Sequence, residues 1–340
     1  MRVTQRDIAR LAKVSQATVS RVLSGDPRVE PDLREVVERV ITEQNYQPDV
    51  RAQSLRTKRT GLIGLVIKRP AGGVGSDPFF ADLIALIVEE LAETDFHLCV
   101  DVAKDPRKHA SIYDEMLRSR RVDGLFLVES EASDERITRL QDEGFPFVLI
   151  GNPLHAGEIH SIDNDNVLAA EMATKHLLEM GYSRIAFLGA RPGVTVSDDR
   201  IAGYQRALRG VQSEHLIFHA DFGSKAARQE ALHMLNIEHR PDAVVVLDDY
   251  MALGVSSAAR ECGLSIPDDL GVASFNDSHL CEVIGGGLTS VNLNLRTLVS
   301  HAVSRLLSIC NGEEQSPNRR VIVPCNLTVR QSSQRPEVLR

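Results

Sequence analysis

The sequence predicts an α/β protein in which a small all-α domain precedes a body of parallel sheets flanked by helices. From Gly61 onward, short apolar runs alternate with amphipathic stretches, a pattern typical of strand–helix–strand units. Residues 1–47 instead show only the apolar spacing of helices. The length of 340 residues is sufficient for two or three domains with buried cores.

Three short helices are predicted in residues 1–47. Thr4 and Asp7 form a capping-box pattern at the start of the first helix. Ser15 is a favoured N-cap for the second helix, and Pro31 suits the first turn of the third. Apolar residues follow each start at helical spacing, so each helix has one face to bury.

A polar, basic segment follows at residues 48–60. It is interrupted at its start by Pro48 and holds too few apolar residues to bury itself. We therefore predict a linker here, with helix forming around residues 49–56.

The body, residues 61–332, is predicted to contain many short strands. The apolar runs interpreted as strands are GLIGLVI, FHLCVDV, GLFLV, FVLIG, RIAFLG, AVVVL and GVASF. So many strands exceed one comfortable sheet, which favours two lobes. A ligand would bind in the cleft between the lobes, where the C-terminal ends of the strands converge. Residues 333–340 are predicted to be a polar tail.

The charge is spread unevenly along the chain. Residues 1–60 hold 12 Lys and Arg against 8 Asp and Glu, a balance of +4, and the remainder holds 27 against 39, a balance of −12. The whole chain therefore carries −8. A basic first domain on an acidic body indicates that only the first domain meets a polyanion.

The second predicted helix has a polar face suited to a DNA major groove. A tight turn between two helices places the second helix for entry into the groove. Its arginine could grip guanine, its glutamine could read adenine and its alanine could contact a thymine methyl. The side chains concerned are Gln16, Ala17 and Arg21. Three hydroxyls beside them would contact phosphates: Ser15, Thr18 and Ser20. A hairpin whose polar face is merely solvated is the alternative that this pattern leaves open.

At this point the chain resembles the lactose/galactose repressor (LacI/GalR) family of transcription regulators. The matching stretches run through nearly the whole chain: VTQRDIARLAKVSQATVSRVLSG, NYQPDVRAQSLRTKRTGLIGLV, DPFFADLI, IDNDN, GYSRIAFLG, SDDRIAGYQRAL, DDYMALGV, IPDDLGVASFND and LTSVN. The resemblance implies a helix-turn-helix headpiece (1–47), a hinge helix or linker (48–60) and a two-lobed effector domain like periplasmic binding proteins (61–332).

The resemblance also implies roles for individual residues in DNA binding. Tyr46 matches a backbone contact, and Leu55, within a hinge helix at 49–57, matches a wedge that enters the minor groove and kinks the duplex. The complete set expected at the DNA is Thr4, Ser15, Gln16, Ala17, Thr18, Ser20, Arg21, Tyr46 and Leu55. A homodimer would then read a palindromic operator, one headpiece on each half-site.

In the cleft, Arg200 matches the arginine that holds effectors in this family, since a planar guanidinium suits a pair of sugar hydroxyls. Asp248 and Asn276 match polar positions at strand ends, and three aromatic rings would pack on a sugar or base: Phe79, Phe80 and Phe222. The strings IDNDN and SFNDS most resemble the maltose and α-glucoside (MalR-type) branch. A nucleobase, a phosphosugar or a protein corepressor remain alternative effectors.

Other function classes find less support. No acid–base pair or nucleophile arrangement is present, and the GxG at Gly73 and Gly75 has Pro78 where a dinucleotide fold needs a third glycine. We therefore expect no enzyme, cofactor or metal. A solute-binding module without DNA function would need an export signal, and the start MRVTQRDIAR is unlike one. Five scattered cysteines indicate a protein of the reducing cytoplasm. We also expect no segment that spans a membrane.

Overall fold

In the computed structural model the chain forms two compact units, Met1–Thr60 and Gly61–Arg340. The structure describes residues 3–47, 59–67, 73–103, 109–154, 159–211, 214–284, 286–313 and 318–335. The predicted hinge helix at 49–57, with Leu55, therefore lies outside the described residues. Within the described ranges, no helix combines the length and apolar character needed to cross a bilayer.

The first unit contains three helices: α1 (Gln5–Leu11), α2 (Gln16–Leu23) and α3 (Pro31–Glu43). The capping box of α1 is present, because the Thr4 N–H donates to the Asp7 carboxylate at 3.0 Å and the Asp7 N–H donates back to Thr4 Oγ1 at 3.4 Å. Ser15 caps α2 by accepting the Thr18 N–H at 3.0 Å, and Pro31 stands in the first turn of α3. All three helix starts predicted from the sequence are confirmed.

A compact apolar core holds these helices together. Its buried members are Ile8, Ala9, Ala12, Val19, Val22, Val29 and Val37. Each large aliphatic side chain buried in this way stabilises the fold by roughly 1.5–3 kcal/mol. So small a domain depends on nearly all of them.

The second unit contains twelve strands in its described residues. They are β1 (Leu62–Ile67), β2 (His97–Val102), β3 (Gly124–Val128), β4 (Phe147–Ile150), β5 (Ser161–Asn164), β6 (Ile185–Gly189), β7 (Leu216–His219), β8 (Ala243–Val246), β9 (Gly271–Phe275), β10 (Thr289–Asn292), β11 (Arg320–Val323) and β12 (Asn326–Thr328). The seven strands named from the sequence are all present. The sequence prediction did not name β5, β7, β10, β11 and β12, which are three or four residues long. Three of them, β5, β10 and β12, are at least half polar, whereas β7 and β11 are mostly apolar.

The helices of this unit lie between the strands in chain order. They are α4 (Gly73–Ser76), α5 (Pro78–Leu91), α6 (His109–Ser119), α7 (Glu135–Asp142), α8 (Asn166–Glu179), α9 (Thr195–Ala207), α10 (Ser224–Leu235), α11 (Asp249–Glu261) and α12 (Leu295–Asn311), with 3-10 turns at His279–Glu282 and Gln331–Ser333.

Two six-stranded sheets form two lobes. The first has the order β11-β5-β4-β3-β1-β2 and is parallel throughout. The second has the order β12-β10-β9-β8-β6-β7, and only β12 runs antiparallel to its neighbour. This confirms the predicted fold class of two parallel-sheet lobes behind a small all-α domain.

Both faces of the first sheet are buried, which explains why its strands are continuous apolar runs. Leu65 belongs to the core on one face, beneath α5 and α12, while Val66 belongs to the core on the other face, beneath α6 and α7. Successive strand residues point to opposite faces, so a strand covered by helices on both sides needs apolar residues at every position.

The chain crosses between the lobes three times, after β5, after β10 and after β11. One buried side chain ties the three crossings together. Asn164, at the first, donates from Nδ2 to Leu293 O at 3.0 Å and to Val323 O at 2.8 Å, at the second and third. These two hydrogen bonds therefore join the three crossing segments at one buried point.

The body extends further along the chain than the sequence predicted. Ser333 was expected to begin a polar tail, but it is fully buried and its hydroxyl lies 2.7 Å from His176 Nε2 and 2.6 Å from Thr289 Oγ1. The 3-10 turn Gln331–Ser333 thus packs on the second lobe. The two serines of this polar string, Ser332 and Ser333, gave no sign of burial, because hydroxyls are found both on surfaces and in satisfied interiors.

Helices α8 and α9 approach each other unusually closely at Gly203, and this closeness makes a testable prediction. A Cβ at Gly203 would lie 2.0 Å from the backbone carbonyl oxygen of Val167. Replacing a mid-helix glycine by alanine normally stabilises a helix by about 1 kcal/mol. Here we expect Gly203→Ala to lower the free energy of unfolding by about 1–3 kcal/mol, because a backbone cannot yield as a side chain can.

Urea unfolding of the full chain, followed by circular dichroism, measures this effect. Ala202→Gly is the matched control, since Ala202 is exposed on the same helix and its loss of about 1 kcal/mol reflects helix propensity alone. A Gly203→Ala variant more stable than the wild type would show that the helices can separate without penalty.

Candidate functional site

The outer face of α2 carries the polar residues predicted to read bases. Gln16, Ala17 and Arg21 are exposed, whereas Val19 and Val22 on the opposite side are buried in the helical core. Lys13 adopts a left-handed conformation (φ 54°) in the turn between α1 and α2. The structure therefore presents a short, firmly packed helix with three unburied side chains at the positions expected from the sequence.

The hydroxyls predicted to contact phosphates already have structural roles. Ser15 and Thr18 lie with their hydroxyl oxygens 2.8 Å apart, and Ser15 also caps α2. Thr4 closes the capping box of α1. A hydroxyl has one donor and two acceptor sites, so such a contact leaves capacity for another partner. Ser20 is half-buried, and Tyr46 packs partly buried against the helical core.

A cavity of about 820 Å³, partly open to solvent, lies at the C-terminal ends of strands from both sheets. Its walls come from the segments after β1, β3, β4 and β5 in the first lobe and after β6, β7, β8 and β9 in the second. All six residues predicted for the ligand line it: Phe79, Phe80, Arg200, Phe222, Asp248 and Asn276. Their convergence follows from the topology, because parallel strands direct their following loops to one edge of each sheet.

Arg200, on α9, is the central cation of this cavity. Its Nε donates to Asn166 Oδ1 at 2.9 Å, its Nη1 donates to Leu247 O at 2.5 Å, and its guanidinium carbon lies 4.0 Å from the centre of the Phe275 ring. Complete burial lowers the pKa of Arg200 to about 10, although the carboxylates of Asp248 and Asp163 favour its charged form. These contacts fix the plane of the guanidinium.

Asp248 and Asn276 stand at the ends of β8 and β9. Asp248 is buried and caps α11 by accepting the Met251 N–H at 2.6 Å, so one of its oxygens has a structural role. Asn276 has a strained backbone (φ 102°), and the next residue, Asp277, is also left-handed (φ 53°). Strain of this kind persists only where the surroundings hold it.

Asp249 holds this strained loop in place. Its carboxylate accepts the hydroxyls of Ser274 and Ser290 and, at 2.8 Å, the backbone N–H of Ser278. Burial raises the pKa of Asp249, and these hydrogen bonds oppose the rise. The carboxylate therefore joins α11, β9, β10 and the segment that presents Asn276 to the cavity.

The three predicted aromatic residues take different positions. Phe79 and Phe80 meet edge to face with ring centres 5.4 Å apart, Phe80 being fully buried and Phe79 partly exposed. Phe222 follows β7 on the opposite lobe and is partly exposed. The cavity thus has apolar surfaces from both lobes, as a ligand with a flat ring requires.

Several polar residues of the cavity were not predicted from the sequence. They are Asp77, Glu129, Ser130, Asn152, Asp163, Asn164, Asn166 and Thr195. A usable signal existed for some of them, because Glu129 and Asn152 directly follow the predicted strands GLFLV and FVLIG. Asp163 and Asn166 lie in IDNDN, whose strand β5 was not predicted.

The two lobes also touch across the cavity. Ser130 and Thr195 place their hydroxyl oxygens 2.7 Å apart, and Asn152 Nδ2 donates to Asp199 Oδ2 at 2.8 Å. Burial raises the pKa of Asp199, and the hydrogen bond from Asn152 opposes the rise. Each contact joins a residue that follows a strand of the first lobe, Ser130 or Asn152, to helix α9 of the second lobe.

The comparisons with known proteins agree along the chain. Residues 4–49 match the family model described as bacterial regulatory proteins, lacI family, and residues 174–333 match a periplasmic binding protein-like domain. The HTH-type transcriptional regulator MalR of Staphylococcus xylosus is 31% identical over 334 residues, covering 97% of this chain and 98% of its own.

Solved structures show the same architecture. The transcriptional regulator CelR in complex with cellobiose is 28% identical, with a TM-score of 0.74 over 97% of this chain and 100% of its own. The lac repressor dimer bound to operator and the anti-inducer ONPF is 25% identical, with a TM-score of 0.84 over 98% of this chain and 99% of its own.

The Asp249 contacts predict the outcome of a single substitution. In Asp249→Asn, an NH2 group replaces one of the two acceptor oxygens. That NH2 group then faces either the backbone N–H of Ser278 or the hydroxyls of Ser274 and Ser290, which donate to the carboxylate in the wild type. We expect the free energy of unfolding to fall by about 1–3 kcal/mol, the range for a buried group left unsatisfied. Urea titration measures the loss. Ser274→Ala removes only one donor and serves as the milder control; an equal loss in both variants would contradict the role given to Asp249.

Proposed function

This chain belongs to the lacI family of bacterial regulatory proteins, and we propose that it represses genes of carbohydrate use, binding a palindromic operator under the control of a small sugar. DNA-binding transcription regulation follows from the family. The operator, the repression and the sugar are the proposal. The observation that carries the proposal is that one chain holds both a helix, α2, with an exposed polar face and a cavity lined by an arginine, carboxylates, amides and aromatic rings.

In the headpiece, α2 is proposed as the recognition helix. Arg21 would bind guanine with two hydrogen bonds, Gln16 would bind adenine, and Ala17 would contact a thymine methyl. Ser15, Thr18 and Ser20 would contact phosphates together with Thr4 and Tyr46. The Leu55 wedge belongs to the same proposal.

A homodimer is proposed as the binding unit. The related lac repressor was solved as a dimer on its operator. A two-fold dimer presents two copies of α2 and therefore reads a site whose halves are related by symmetry. The ends of both half-sites would then be read by identical residues.

The ligand of the cavity is proposed to be a sugar, with maltose or another α-glucoside as the first candidate. A solved structure similar to this chain is described as a probable maltose operon transcriptional repressor, malR, and the related CelR was solved with cellobiose. Arg200, Asp248 and Asn276 would bind hydroxyls, while Phe79, Phe80 and Phe222 would form the apolar surfaces. A nucleobase, a phosphosugar or a protein corepressor are the alternatives within the same class.

The control would be exerted through the angle between the lobes. A sugar with different affinity for two lobe arrangements shifts their populations and with them the affinity for DNA. A coupling of about 1–3 kcal/mol is usual for such switches. The proposal includes no catalytic step and places the protein in the cytoplasm, where its DNA target lies.

Arg21 gives the sharpest test of DNA recognition. Selection from a random duplex pool should enrich a pseudo-palindrome, and Arg21→Ala should then weaken binding by about 1–3 kcal/mol and relax preference at one base position in each half-site. Arg39→Ala is the matched control, because Arg39 is an exposed arginine on α3. Unchanged base preference in Arg21→Ala would exclude this docking.

The effector is tested by thermal unfolding in the presence of mono- and disaccharides. A sugar that binds only the folded state stabilises it by about 2.7 kcal/mol at 100 times its Kd, so the melting temperature should rise with concentration. The same sugar should change operator affinity about 5- to 150-fold in a binding titration. A sugar that raises the melting temperature without altering DNA affinity would separate the cavity from the regulation.

A further inference from the structure

One oxygen in the wall of the cavity lacks a hydrogen-bond partner among the described residues. Asp163 is 6% exposed, and its Oδ1 accepts the Asn166 Nδ2–H at 3.1 Å. Its Oδ2 is buried and has no hydrogen-bond partner among the described residues. Leaving a buried acceptor unsatisfied is unfavourable, so such a group in a folded protein needs an explanation. Asp163 also lines the cavity, so a ligand bound there would lie beside this carboxylate.

The charge of the cavity limits what that ligand can be. Among the described residues of its lining, carboxylates outnumber cations, with Asp77, Glu129, Asp163 and Asp248 against Arg200. Arg200 donates two of its five N–H groups to Asn166 and Leu247. One cation does not offset four carboxylates, so an added anion would meet a wall of net negative charge at low dielectric.

We infer that the cavity selects a polyhydroxylated ligand without negative charge and that one of its hydroxyls donates to the Asp163 carboxylate. This inference rests on the proposed function and narrows its ligand, because it excludes phosphosugars. A neutral sugar offers O–H donors to carboxylates, and a hydrogen bond to a charged acceptor is about twice as strong as one between neutral groups. A phosphate brings only acceptors and charge to the same wall.

The groups around Asp163 are consistent with a carboxylate that can accept a hydrogen bond from a ligand. Burial raises the pKa of Asp163 to about 7, with the charge of Asp199 adding to the rise and the backbone N–H of Asn164 opposing it. Arg200 on α9 and Arg320 on β11 favour the ionised form. Asp199 also lies on α9, and Asn166 on α8 is neutral.

A raised pKa in the folded state means that Asp163 contributes stability at low pH and loses it as the pH rises through 7. Asp163→Asn does not ionise, so this variant should melt above the wild type at pH 8, with the difference closing toward pH 5. Its affinity for a neutral sugar at pH 8 should fall roughly 10- to 100-fold, the equivalent of one hydrogen bond to a charged group. Higher stability with weaker binding distinguishes a ligand-binding residue from a structural one.

The matched control is Asp165→Asn. Asp165 lies two residues away, is exposed, and caps α8 through the Leu168 N–H at 2.9 Å, a role that asparagine fills equally well. Asp165→Asn removes the same charge and should leave sugar affinity within about twofold, because the charge is exposed and screened.

Calorimetric titration of the full chain with paired sugars tests the selectivity: maltose alone, trehalose against trehalose 6-phosphate, and glucose against glucose 6-phosphate. The expected result is that any neutral sugar that binds does so at least tenfold more tightly than its phosphate. A phosphosugar that binds as tightly as its parent would overturn the inference.

If no sugar of either kind binds, the proposed sugar effector fails while operator binding keeps its own test. The role of Asp163 is then decided by melting at pH 8. Asp163→Asn melting above the wild type supports an unsatisfied site for a donor. Asp163→Asn melting below the wild type overturns it, since the carboxylate would then be part of the folded framework.

Discussion

The body of this protein depends on how three chain segments are held where they pass between the lobes. Asn164 donates two hydrogen bonds from one nitrogen to Leu293 and Val323, and so joins all three crossings at a buried point. The two lobes also touch through the Ser130–Thr195 and Asn152–Asp199 hydrogen bonds beside the cavity. The Asn164 link acts where the chain itself passes between the sheets, and the strand ends of both sheets line one cavity.

The cavity concentrates groups that a core would ordinarily exclude. Arg200 and Asp163 are both buried, and burial shifts their pKa values toward the neutral forms, down for the arginine and up for the aspartic acid. Charges buried in this way lower the free energy of unfolding. Proteins retain such buried charges mainly where a ligand or a partner compensates for the lost stability. Asp249 represents the opposite case, because its carboxylate is satisfied by neighbours and serves to hold the strained Asn276 loop.

The headpiece obtains its stability from only a few residues. Seven buried apolar side chains hold three helices, and the capping groups Thr4 and Ser15 satisfy helix-terminal N–H groups that water would otherwise bind. The exposed side of α2 can therefore remain entirely polar or small without loss of the fold. Because the stability of the headpiece comes from the opposite side of α2, we expect substitutions such as Arg21→Ala to leave folding intact.

The sequence by itself determined the parts that local periodicity controls. Helix caps and 3.6-residue spacing located α1, α2 and α3, and apolar runs located the strands buried on both faces, since burial on both faces requires apolar residues at every position. The family motifs then supplied six residues that all line one cavity. Only the tertiary structure decided what depends on distant neighbours. The short edge strands β11 and β12 form because an adjacent strand offers its hydrogen bonds, Gly203 is required by a carbonyl on another helix, and Ser333 is buried by residues more than forty positions away. Asp163 belongs to this second group, because a carboxylate after a short strand becomes an unsatisfied acceptor only when the fold encloses it.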